Sequence, residues 1–106
     1  MKIKSITEEE IVFEDGRTIT YHHDQDCCEH VYADFMAVED GIKDHEFKNI
    51  SIVGVKNAGF KLNGYFIPCY NSQNGYYSSD LELIINYPDG RRLIQDISEF
   101  VEDQVD

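Results

Sequence analysis

Most side chains capable of chemistry crowd into one stretch, Tyr21-His22-His23-Asp24-Gln25-Asp26-Cys27-Cys28-Glu29-His30-Val31-Tyr32. It holds three of the four histidines and two of the three cysteines, together with three carboxylates. Thiolate, imidazole and carboxylate at close spacing are the ligand types zinc takes, and three protein ligands leave a position open for water. The zinc set read from this stretch is His23, Asp26, Cys27, Cys28 and Glu29, either structural or hydrolytic. Only His45 and Cys69 could add a ligand from a distance. The same residue types make a Cys–His–acid arrangement, with Cys27 or Cys28 as thiolate and His23 or His22 as base. Surrounding negative charge opposes that reading because it raises a thiol's pKa, and no glycine-rich oxyanion turn precedes the cysteines. No catalytic residue is therefore assigned, and the expectation is a non-enzymatic protein. The remaining reading is a polar hairpin tip whose groups bond to one another while Cys27 packs as a small apolar side chain.

Two β-like runs flank the stretch and would position it. With Asp24-Gln25-Asp26 as a three-residue loop, His23 lies across from Cys27, Tyr21 across from Glu29 and Ile19 across from Val31. Further along, Glu10 to Glu14 and Arg17 to His23 read as a hairpin about Asp15-Gly16. A two-residue turn there pairs Val12 with Ile19. Leu81 to Tyr87 and Arg92 to Asp96 read as another, where Pro88-Asp89-Gly90 suits a type I turn closed by a glycine bulge. Between them lie strand candidates at Cys27 to Met36, Asn49 to Lys56 and Gly59 to Tyr70. The last has a break at Asn63-Gly64, and its Pro68 suggests a sheet edge. Asp96 with Glu99 resembles a capping box opening a short C-terminal helix. The expected fold is mainly β, an antiparallel sandwich or barrel-like domain of seven or eight short strands, with β-rich α+β as the alternative.

Length and charge bound what such a domain can do. At 106 residues, 42% of them hydrophobic and including seven Tyr and six Phe, the chain suits a single domain, 1–106, with one modest core. The formal net charge of −12 disfavours direct contact with nucleic acid or anionic lipid, both of which need basic residues to neutralise them. A basic protein partner or a divalent cation fits better, and mimicry of nucleic-acid charge is a further alternative. The composition leaves homo-oligomerisation open. The apolar runs fall short of a membrane span and the N-terminus lacks a signal-peptide core, so the expectation is a cytoplasmic protein with reduced thiols.

A second stretch, Asn74-Gly75-Tyr76-Tyr77-Ser78, reads either as a tight turn or as an exposed tyrosine surface for a protein partner, with Asn74, Gly75, Tyr76 and Tyr77 as the contact residues. Together with His23-x-Gln25-Asp26-Cys27-Cys28-Glu29-x-Val31, it resembles a family of small bacterial and phage proteins, a domain of unknown function. That family carries HxQDCCExV-like and NGYYS-like motifs in this order. The resemblance implies a phage or prophage setting and points to the motif residues as the functional ones, without an activity. The chain departs from the family's aromatic and basic run before the second motif, having Phe66-Ile67-Pro68-Cys69-Tyr70 there.

Overall fold

The computed structural model describes residues 1–23, 31–71 and 80–103. Ten strands run in chain order: β1 (Ile3–Ile6), β2 (Glu10–Phe13), β3 (Thr18–His22), β4 (Val31–Ala33), β5 (Ile52–Val55), β6 (Gly59–Leu62), β7 (Tyr65–Asn71), β8 (Glu82–Asn86), β9 (Arg92–Asp96) and β10 (Glu102–Asp103). They form two sheets, β1-β2-β3-β8-β9 and β10-β7-β6-β5, with β4 also paired to β7. Pairing is antiparallel except for the two-residue β10, which runs parallel to β7. The fold is mainly β, as the alternating patterns predict, but with more strands than the seven or eight expected. The described residues contain no α-helix. A single 3-10 turn, Ser98–Phe100, stands where the terminal helix was expected. Asp96 supports that turn by accepting from the backbone and hydroxyl of Ser98, so the Glu99 capping box is not formed.

Period-two alternation puts one face of each sheet into a shared core. The first sheet contributes Ile11, Phe13, Ile19, Leu83 and Ile85, and the second contributes Phe60, Leu62, Ile67 and Cys69. Phe35 and Phe47 join this core, with Phe47 edge-on to Phe13 at 5.2 Å between ring centroids. Each fully buried side chain of this size contributes roughly 1.5–3 kcal/mol relative to an exposed one.

Three turns set the registers. Asn63 and Gly64 both take positive φ, 48° and 91°, which makes the two-residue primed turn joining β6 to β7. Asn63 also bonds Ser51 and Asn49 through its amide. By contrast Asp15-Gly16 is not such a turn. Gly16 N donates to Phe13 O and only Gly16 has positive φ, giving a type I turn with a glycine bulge, the same design as Tyr87 to Arg91. The register therefore pairs Ile11, not Val12, with Ile19. In both turns the Asp carboxylate accepts from the backbone and Nε of the following arginine, Asp15 from Arg17 and Asp89 from Arg91.

Pro68 is likewise not at an edge, since β7 is flanked by β6 on one side and β4 on the other. Its carbonyl accepts from Asp34 N at 2.8 Å. The missing Pro68 donor faces the same side, just where the chain leaves β4 for the 3-10 turn Phe35–Ala37, so no ladder bond is lost.

Candidate functional site

The site builds from the β1–β2 connection. Thr7 N bonds Glu10 O, and Thr7 Oγ1 accepts from the backbone of Glu9 and Glu10, which fixes a tight turn and holds Glu8 and Glu9 outward. Beside that turn, Tyr21 on β3 meets Phe35 edge-on, with ring centroids 5.6 Å apart. On the neighbouring edge strand, Val31 and Ala33 face the core while Tyr32 lies on the other face, tilted against its register partner Tyr70 at 5.6 Å. Glu8, Glu9, Tyr21, Tyr32, Asp34 and Met36 thus line an open cleft of about 470 Å³. Met36 is 60% exposed there.

The electrostatics follow from the lining. Burial pushes the Tyr21 phenol above its ordinary value, and the carboxylates of Glu9 and Glu8 push the same way. Tyr32 is raised by burial and then by Asp34. Both phenols remain neutral donors with electron-rich faces, set among carboxylates. Such a cleft suits a guanidinium or ammonium group, which finds ring faces and acceptors together. Among the described lining residues, none is a nucleophile paired with a base.

The sequence-derived sites stand differently. Asp26, Cys27, Cys28 and Glu29, and likewise Asn74, Gly75, Tyr76 and Tyr77, lie outside the described residues. Their flanks are described, and they overturn the pairing of Ile19 with Val31 that the expected hairpin required, while Cys27, read opposite His23, lies outside the described residues. Ile19 pairs with Ile11 of β2 and with Ile85 of β8, while Val31 pairs with Asn71 of β7 in the other sheet. Residues 24–30 therefore connect one sheet to the other, and so do residues 72–79. The two ladders bring the ends of these connections together, His22 beside Glu82 and Val31 beside Asn71.

His23 joins the two directly. Its side chain is 5% exposed, and Nδ1 lies 2.6 Å from the carbonyl oxygen of Asp80 and 3.5 Å from its carboxylate. A neutral ring donating from Nδ1 carries its lone pair on Nε2, the atom that would take a metal. Among the described residues no group of three or more His, Cys, Asp or Glu is placed to hold one. Nothing local in the sequence ties Asp80 to a histidine 57 positions earlier.

The distant ligands proposed for zinc are occupied otherwise. His45 packs its ring against Phe47 at 4.6 Å and Tyr65 at 5.3 Å. Cys69 is a free, fully buried thiol in β7, and burial pushes its pKa up to about 12. Native Cys69 should therefore resist alkylation under mildly alkaline conditions and label fully after unfolding, as read by peptide mass mapping. Raised from 9.0, this group contributes stability that is complete below pH 9 and is lost as pH rises towards 12.

No described helix is long and apolar enough to cross a membrane. Compared with known proteins, the chain matches no family model, no curated protein and no solved structure. Fold and site together define a two-sheet β protein with an acidic, tyrosine-walled cleft beside the crossings between its sheets.

Proposed function

We propose that this chain is a non-enzymatic binding protein whose cleft takes a cationic, arginine- or lysine-bearing segment of a protein partner. The observation that carries the reading is the convergence of Tyr21 and Tyr32 with Glu8, Glu9 and Asp34 around one open depression. A cation over a tyrosine face gains about 0.5–2 kcal/mol depending on desolvation. Each exposed carboxylate adds about 0–1 kcal/mol, screened by salt. The formal charge of −12 adds long-range attraction for a basic partner. A reducing cytoplasmic setting agrees with a free buried thiol at Cys69.

The test is affinity for a fluorescent arginine-rich peptide. The triple variant Glu8→Gln, Glu9→Gln, Asp34→Asn should bind about tenfold more weakly or worse, given the per-carboxylate gains above. A control triple, Asp44→Asn, Glu82→Gln, Glu99→Gln, changes the net charge equally and should bind like the parent. Equal losses in both triples would reduce the cleft to nonspecific charge.

A further inference from the structure

We propose that β9 pairs edge to edge with β9 of a second copy of this chain, giving an antiparallel two-fold dimer centred on Ile94. Among the described residues β9 ends its sheet, with β8 on one side and no partner on the other. The bonds Tyr87 N to Arg91 O and Ile97 N to Leu81 O fix which groups turn inward. With the unbroken register between them, Leu93 and Gln95 exchange bonds with β8, so the N–H and C=O groups of Arg92, Ile94 and Asp96 turn outward.

That outward set is self-complementary. A two-fold axis at Ile94 places Ile94 opposite its own copy, and Arg92 opposite Asp96 at both ends. All three pairs fall at positions where antiparallel strands exchange backbone bonds, so the ladder and the charges agree in one register. Any one-residue slip would set Arg92 opposite a neutral side chain. The side chains at this edge also favour cover, since Leu93 is 52% and Ile94 51% exposed, a large apolar exposure for adjacent strand residues. Arg92 makes no ion pair with a described residue, whereas Arg17 and Arg91 each hold a neighbouring aspartate. The carboxylate of Asp96 accepts from Ser98 through Oδ1 and keeps Oδ2 for a partner. The surface is independent of the acidic cleft, whose lining comes from other strands and turns.

Sedimentation velocity from micromolar to millimolar protein at physiological salt reads the proposal. Doubling of the mass with concentration is expected. Arg92→Glu sets like charges opposite each other at both ends and should weaken association at least tenfold. Ile94→Pro removes an outward N–H without removing a bond to β8, and should give a folded monomer, checked by circular dichroism. If Ile94→Pro unfolds the strand, Ile94→Lys asks the same question through like charges at the axis. A monomer throughout the range would overturn the proposal and leave Arg92 and Asp96 as guards of a free edge. A dimer indifferent to Arg92→Glu and to substitution of Ile94 would overturn it too, by placing the contact elsewhere.

Discussion

Replacing Gly59 by alanine is expected to destabilise the protein by about 3 kcal/mol, at or beyond the upper end of ordinary overpacking. A Cβ at Gly59 would lie 2.1 Å from Ile67 O and 2.8 Å from Pro68 Cα. Both are backbone atoms of β7, the strand that carries β4, β6 and β10 together. Cys69 N donates to Ala58 O across the same crossing, so neither strand can withdraw without breaking a bond. The comparison is Gly64→Ala. Its φ of +91° costs an alanine about 1 kcal/mol, but no atom lies within 4 Å of the added carbon. Urea unfolding of both variants decides the matter. Equal losses would mean that the β6–β7 approach is looser than described.

The second large effect is expected at the seam between β5 and the C-terminal turn. Gly54 lies under the Phe100 ring, and a Cβ there would meet the ring at 2.0 Å. Phe100 N is held by Ile97 O, and Glu99 O accepts from Asn57 N, so the ring has little room to slide. Gly54→Ala should therefore expel the ring and cost about 2 kcal/mol, and Phe100→Ala should cost a similar amount. The double variant should cost little more than either single one, because each removes the contact the other depends on. Strict additivity in the urea midpoints would contradict the contact.

The fold class was legible because the core-facing residues alternate strongly, as in Ile11 and Phe13 or Phe60 and Leu62. Pro88-Asp89-Gly90 carries its turn type in its residues, whereas Asn63-Gly64, read as a break in one strand, is the primed turn between two. Asp15-Gly16 misleads by one position. Its dipeptide suits a primed turn, yet Asp15 instead caps Arg17 N, and the register follows that bond. The comparison that resolves it lies within the chain, since Asp15-Gly16-Arg17 and Asp89-Gly90-Arg91 repeat one design.

Long-range order was not legible. The pairing of Ile19 with Val31 fails because β2 takes one side of Ile19 and β8, about 60 residues later, takes the other. The pairing of β3 with β8 also delivers Asp80 to His23. The cleft was hidden for a related reason. Nothing local in the sequence ties Glu8 and Glu9 to the tyrosines, and Tyr21 and Tyr32 belong to different sheets that meet at the cleft. Net charge pointed to a basic partner without showing where it would sit.

The central claim is that this cleft, rather than the acidic surface at large, receives a cation. Amide chemical-shift mapping by two-dimensional NMR, titrating an arginine-rich peptide into labelled protein, tests it most directly. Saturable shifts at Glu8, Glu9, Tyr21, Tyr32, Asp34 and Met36 that fade as salt is added are the predicted result. Shifts spread evenly over the acidic surface, or confined to residues far from Tyr21 and Tyr32, would contradict it.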